Sequence, residues 1–174
     1  MDHRSVSLLL ERRTMSQKQR LKAKVRQFDH PDLLTKCEPV AEGDDVAALE
    51  AEMRKVLKAH WDGIGLAAPQ IGHLVRAILI TRNARIPTVE FFINPEIISM
   101  QGNPVYWTEG CLSYPRTECP VMRAPICTMK HRGGEEQFQD YEAAIVQHEI
   151  DHLNGVCRVG DHWRKQNELA IQDS

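Results

Sequence analysis

Asp140-Tyr141-Glu142-Ala143-Ala144-Ile145-Val146-Gln147-His148-Glu149-Ile150-Asp151-His152-Leu153-Asn154 decides both the fold class and the chemistry. Its apolar residues Ala143, Val146, Ile150 and Leu153 recur at spacings of 3, 4 and 3, the stripe of an amphipathic helix. Asp140 is placed to cap its start, and Gly155 stands at the left-handed position just beyond its end. Inside the helix lies His148-Glu149-Ile150-Asp151-His152, an HExxH pattern. Residues four apart lie about 40° apart around a helix, so both imidazoles project from one face. Two rigidly held ring nitrogens are half of a tetrahedral metal site. Glu149 lies about 100° around from His148 and can flank the open coordination position as a general base without being a ligand. The plainer alternative is a charged run on a helix surface.

Outward from this helix, Asp44 to His60 carries Val46, Leu49, Met53, Val56 and Leu57, a second amphipathic helix with Asp44 or Asp45 as cap and Asp62-Gly63 closing it. Arg76 to Thr81 reads as a short buried strand, and Val89 to Ile98 as another, stopped or kinked at Pro95. Ala124 to Arg132 and Glu135 to Gln139, joined by Gly133-Gly134, form a hairpin. Several strands in succession followed by a helix predict an α+β fold rather than alternating βαβ units.

At 174 residues, 42% hydrophobic and 26% charged, the chain is one soluble domain's worth. No apolar run approaches the roughly 18 residues of a membrane span. With 6% aromatics and a net charge of −2, neither a base-stacking platform nor a global grip on nucleic acid is expected. The charge is uneven: residues 1–27 hold eight Lys/Arg against Asp2 and Glu11, a net of +6, and the remainder carries −8. The expected organisation is a basic extension over 1–27 and one catalytic domain over 28–174. The extension fits a solvated tail, an organelle transit peptide or a ribosome-facing arm, with Met15 as an alternative start. Five cysteines without a CxxC pair argue for a reducing compartment.

The metal site still needs a third ligand. Downstream, His162 stands at the ten-residue metzincin spacing without the rest of that pattern, and Glu168 is the other candidate. Upstream, Cys111 sits in Glu109-Gly110-Cys111-Leu112-Ser113, which read alone fits a buried small hydrophobe equally well. Gly63-Ile64-Gly65-Leu66-Ala67-Ala68-Pro69-Gln70 is a small-residue loop that allows close backbone approach, with Gln70 as an amide donor. It is neither a Rossmann fingerprint nor a P-loop.

Taken together, GIGLAAPQ, EGCLS and QHEIDH, in this order and spacing, resemble the three motifs of the peptide deformylase family. Phe28-Asp29-His30-Pro31-Asp32-Leu33 and Ile93-Asn94-Pro95-Glu96-Ile97 extend the similarity over about residues 26–159. The resemblance implies small antiparallel or mixed sheets around a central metal-binding HExxH helix. It implies a metal on Cys111, His148 and His152, with Fe²⁺ usual and Zn²⁺, Ni²⁺ or Co²⁺ as substitutes. Glu149 is implied as general base and acid, with Gln70 and the Leu112 backbone N–H holding the oxyanion. Ile64, Gly65, Gly110, Tyr141, Ala144 and Ile145 are implied around the substrate, and Glu109 with Arg123 as an ion pair behind the ligands. The implied reaction removes formyl from N-formylmethionyl nascent peptides in the cytoplasm, near the ribosome, with no membrane or sequence-specific nucleic acid involved. The family often has a Gly two residues after the position of Tyr114, where Arg116 stands here, which predicts a more basic substrate rim. Only 22 residues follow His152, so docking on the ribosome through a long C-terminal helix is not expected. Two rivals make different predictions: a zinc endopeptidase needs a ligand such as His162, and a non-catalytic peptide-binding relative would have lost the base or a ligand.

Overall fold

The computed structural model describes residues 16–22, 24–82 and 88–172. In chain order its elements are α1 (Gln17–Lys22), α2 (Ala47–Ala59), β1 (Gly65–Ala67), β2 (Ala77–Arg82), β3 (Thr88–Ile93), β4 (Glu96–Gln101), β5 (Val105–Cys111), β6 (Tyr114–Arg123), β7 (Ile126–His131), β8 (Gly134–Gln139), α3 (Asp140–Leu153) and α4 (Arg158–Gln172), with single 3₁₀ turns at Pro31–Leu34 and Ala68–Ile71. The strands pair as β1-β2-β3, β4-β7-β8 and the β5-β6 hairpin. Every pairing is antiparallel, so the mixed alternative does not occur in these sheets; among the described residues the one parallel contact is an isolated bridge between Glu38 and Val75. The architecture is α+β.

Strand β2 explains how the layers are held. Its Ala77-Ile78-Leu79-Ile80 run is fully buried, and successive side chains point to opposite faces. Ile78 and Ile80 pack with Phe138, Ile145, Val146, Ile150 and Leu153, whereas Ala77 and Leu79 pack with Met53, Val56, Leu57 and Leu66. The β1-β3 sheet therefore separates α2 from α3, and α3 also packs on β8, β4, β6 and β7. A third cluster joins β6 to the last helix through Tyr114, Cys119, Val121, Cys157 and Val159.

Three local expectations need correction. Helix α2 starts at Ala47 with Val46 at the capping position, and the aspartates act one step earlier: Asp45 Oδ1 accepts the Ala47 N–H (2.9 Å) and Asp44 Oδ2 that of Ala41 (3.2 Å). Gln139, not Asp140, precedes α3; Asp140 is itself helical, has φ 49°, and gives its N–H to the Pro125 carbonyl at 2.7 Å. The strand expected over 89–98, stopped or kinked at Pro95, breaks there into two strands in two sheets. Asn94, at φ 53°, makes the turn while its amide pairs with both backbone groups of Val40, and Pro95 lacks the N–H that a continuing ladder needs. The chain after His152, for which no element was expected or excluded, forms the 15-residue helix α4, docked on β6.

Gly155 does occupy the left-handed position after α3 (φ 71°), where a Cβ would stand 2.7 Å from the Leu34 carbonyl oxygen. Of the basic extension, residues 1–15 lie outside the described residues. Val25 is buried, and Arg26 donates its N–H to the Gln70 carbonyl at 2.6 Å. No helix among the described residues is long and apolar enough to cross a membrane.

Candidate active site

Helix α3 and the β5-β6 hairpin bring three ligand-type side chains together. The donor atoms of Cys111, His148 and His152 all lie within 4.8 Å of one another, and Cys111 Sγ is 3.3 Å from His152 Nε2. Cys111 ends β5, where the pairing register shifts between Gly110 and Cys111 before the tight Leu112-Ser113 turn. Such an irregularity re-aims a side chain, here toward the histidines. His162 lies on α4 and Glu168 is exposed near its end; neither belongs to this cluster.

The second layer fixes ring orientation. Glu109 Oε2 accepts from His148 Nδ1 at 2.9 Å, which leaves Nε2 as the nitrogen facing the other ligands. Arg123 clamps the same carboxylate with two bonds (Nε to Oε1 2.7 Å, Nη2 to Oε2 2.9 Å) and reaches Asp151 Oδ2 at 2.6 Å. Burial alone would raise the Glu109 carboxyl, but the bonds from Arg123 and His148 outweigh it and hold its pKa near 2. The His148 imidazole is desolvated, yet the Glu109 hydrogen bond and nearby negative charge raise its pKa. His152, buried and beside His148, is shifted well below the ordinary histidine value and is therefore neutral, the form that ligates a cation.

Several features fit a bound cation. Tetrahedral bonds of about 2.0–2.3 Å put ligand atoms about 3.3–3.8 Å apart, and the Cys111–His152 distance meets that requirement. His152 presents Nε2 to Cys111, and Glu149 Oε2, beside the cluster, is buried without a hydrogen-bond partner among the described residues. The neighbouring Cys157 sulfur and burial push the Cys111 thiol well up, so without an ion it is a neutral thiol, and a bound cation would favour its thiolate.

Glu149 is 4% exposed, and burial raises its pKa to about 7. Its carboxylate lies against Gly65: a Cβ there would collide with Oε1 and stand 2.8 Å from Cδ. Gln70, also buried, accepts the Ala67 N–H at Oε1 (2.8 Å); its Nε2 bonds Ser113 Oγ at 3.1 Å and points at Cys111 Sγ at 3.6 Å. These groups line a cavity of about 990 Å³ that also takes in Ile64, Gly65, Gly110, Leu112, Tyr141, Ala144 and Ile145. Ala144 and Ile145 are buried in its wall, whereas Ile64 and Tyr141 are partly exposed at it. The residues that the resemblance implies for catalysis, substrate and metal line this cavity, except His152, which joins the ligand cluster from beneath it; His162 and Glu168 lie elsewhere. Sequence reasoning missed Ser113, Asp151, Cys157, Trp61 and Trp107. Ser113 and Asp151 sit inside the quoted motifs and could have been asked about; Cys157, 46 positions from Cys111, carries no local signal.

An HExxH helix meeting a cysteine from a hairpin, with a buried carboxylate and an amide beside them, defines a metal-dependent hydrolase. The polypeptide deformylase family model matches residues 22–168, and the chain belongs to that family. It is 38% identical over 138 residues to a peptide deformylase of Dictyoglomus thermophilum, covering 76% of this chain and 87% of that one. It is 35% identical over 156 residues to that of Thermotoga neapolitana, covering 86% and 92%. Among solved structures, a class I type b peptide deformylase from Acinetobacter baumannii superposes with a TM-score of 0.73 at 30% identity over 78% of this chain and 95% of that one. The deformylase of Vibrio parahaemolyticus bacteriophage VP16T, in complex with actinonin, gives 0.68 at 33% identity over 76% and 98%. The activity of this chain is accordingly hydrolysis of the N-formyl group of N-formylmethionyl peptides, with release of formate.

Proposed function

We propose that α3 is the central metal-carrying helix, that Cys111, His148 and His152 hold a divalent ion, and that this ion is Fe²⁺ in the cell, with Zn²⁺, Ni²⁺ or Co²⁺ able to substitute. When bound, the ion polarises the formyl carbonyl and lowers the pKa of a water. Glu149 takes the proton from the attacking water at its unpartnered Oε2 and delivers it to the amine nitrogen as the C–N bond breaks, so formate and a free amino terminus leave. Its raised pKa, near 7, suits a group that both accepts and donates that proton. The Gln70 amide and the Leu112 N–H hold the oxygen on which negative charge develops.

The methionine side chain fills the apolar wall one turn before His148, made by Tyr141, Ala144 and Ile145. Ile64, Gly65 and Gly110 flank the peptide backbone. Burying an unbranched thioether there contributes about 0.8 kcal/mol per CH₂. An A. baumannii relative has been solved with Met-Ala-Ser bound, which supports a peptide in the corresponding cavity here. The substrates are N-formylmethionyl chains met in the cytoplasm as they leave the ribosome, and residues 28–174 act as one catalytic domain with 1–27 as a basic extension.

The observation that carries this reading is the convergence of three ligand atoms within 4.8 Å beside a buried carboxylate. The test is formate release from formyl-Met-Ala-Ser by protein loaded with Fe²⁺ under argon. Activity should decay in air within minutes to hours in the iron form and persist in the nickel form, because thiolate and Fe²⁺ are both oxidisable. No formate from fully loaded protein would overturn it.

A further inference from the structure

The rim of the catalytic cavity carries a cation without a partner among the described residues. Every other arginine among the described residues is engaged: Arg26 with Asp32, Arg54 with Glu50, Arg76 with Asn154, Arg82 with Glu142, Arg123 with Glu109, Arg132 with the Ala41 carbonyl, Arg158 with Asp151 and Arg164 with Asp29, while Arg20 too has an interaction. The Arg116 guanidinium, exposed and lining the cavity mouth, has neither hydrogen bond nor ion pair among the described residues.

Its backbone is unusual as well. Gly110 pairs with Glu118 and Cys111 with Tyr114, so Pro115, Arg116 and Thr117 stand outside the ladder as a bulge on β6. At the bulge Arg116 takes φ 63°, the left-handed region that side-chain-bearing residues enter only at a cost. The bulge begins one residue after Tyr114, which is fully buried and forms a cluster with Phe28 and Trp163 (ring centroids 6.2 and 5.9 Å away). The arginine is therefore presented from a fixed base. A strained, exposed, unpaired arginine beside a peptide-binding cavity is a group waiting for an anion from the ligand.

Resting on the deformylase reading above, we propose that Arg116 is a specificity determinant that binds a carboxylate carried by the peptide beyond its formylmethionine, so that this enzyme works fastest on chains acidic just after the start. A guanidinium pairs with a carboxylate through two parallel N–H···O bonds. Asp62 and Glu118 also line the cavity, so the rim is not uniformly positive and the preference depends on direct contact rather than on a long-range field. A carboxylate near the start has two sources, an acidic side chain or the free terminus of a short peptide.

The experiment compares kcat/KM of the metal-loaded enzyme on formyl-Met-Ala-Glu-amide, formyl-Met-Ala-Lys-amide, formyl-Met-Ala-Ser-amide and formyl-Met-Ala-Ser with its free carboxylate. Rates are normalised to each variant's own rate on the Ser-amide. At low salt the native enzyme should favour Glu-amide over Lys-amide by about 3–10-fold, mainly through KM, and the ratio should shrink in 0.5 M NaCl. Arg116→Gly, which also relieves the left-handed strain and so should fold, should flatten the ratio. Arg116→Glu should invert it. A preference seen only for the free-carboxylate peptide, and lost in Arg116→Gly, supports the carboxylate site and names the terminus as its source. Equal rates on all four peptides, or a preference that survives Arg116→Gly, would overturn the proposal while leaving the deformylase reading intact. No turnover of any peptide would instead refute that reading.

Discussion

Gly65→Ala should disable the enzyme without unfolding it. Gly65 is buried in β1, paired with Ile80, and its φ is not in the left-handed region, so alanine is accepted by the backbone. What it meets is Glu149: the new Cβ would stand 2.8 Å from Cδ and 3.0 Å from Cγ, and closer still to Oε1. Ordinary carbon contacts begin at about 3.5 Å, so the carboxylate has to move by about 0.7 Å or more. Misplacing a reacting group by about 1 Å costs about 10²-fold in rate, and losing a general base entirely costs about 10²–10⁴-fold. We therefore expect kcat to fall about 10²-fold or more, with metal content unchanged because none of the three ligands is among the nearest atoms to that Cβ. Formate release, metal analysis and a thermal melt on the same preparation check this. In a Glu149→Gln background the added alanine should cost little further, since both changes remove one function. Near-native kcat in Gly65→Ala, or a full multiplicative loss in the double variant, would refute the placement of Glu149 as the base.

Cys111→Ser should lose bound metal on dialysis while Cys119→Ser, buried in the third core cluster, retains it; metal analysis distinguishes them, and equal loss would contradict the ligand assignment. In metal-free protein the Glu149 carboxyl titrates near pH 7 against an ordinary 4.5, so the folded state binds more protons than the unfolded one between these values and stability falls as pH rises through that window. Metal-free Glu149→Gln should therefore match the native protein below about pH 4.5 and exceed it above pH 7 by up to about 3 kcal/mol, read by urea unfolding across pH. Ala144→Phe, in the buried wall of the cavity, should raise KM for formyl-Met peptides with little change in kcat, because it removes binding volume and not chemistry; steady-state kinetics check this.

The parts of this molecule that could be read in advance are those whose signal is local. HExxH fixes its own geometry once the helix forms, and the apolar stripe of α2 announces the face it buries, whereas α3 is buried well beyond its stripe, at Ala144, Ile145 and Gln147 too. The β7-β8 hairpin was legible from Gly133-Gly134 between two alternating runs. The β5-β6 hairpin was not: Pro115 and Pro120 within β6 argue against a strand, and it holds because it is a two-stranded ribbon at the edge of the fold. Helix α4 is mostly polar, with few apolar residues to announce it; it docks because Val159 and Trp163 find Tyr114 and Phe28, partners far away in sequence. The same limit applies at the site. The pairing of Glu109 with His148 and of Cys111 with Cys157 spans some 40 residues in each case, so periodicity could not supply them, and Cys111 entered only through the similarity of its whole motif to a family pattern.

The central claim, that Glu149 moves the proton at a site whose ion is held by other residues, is tested most directly by Glu149→Gln. The substitution keeps size and helix but cannot accept a proton. Metal analysis and single-turnover formate release should show one ion per chain, retained peptide binding and at least about a 10²-fold slower reaction, whereas His148→Ala should lose the ion itself. Near-normal kcat in metal-loaded Glu149→Gln would contradict the account.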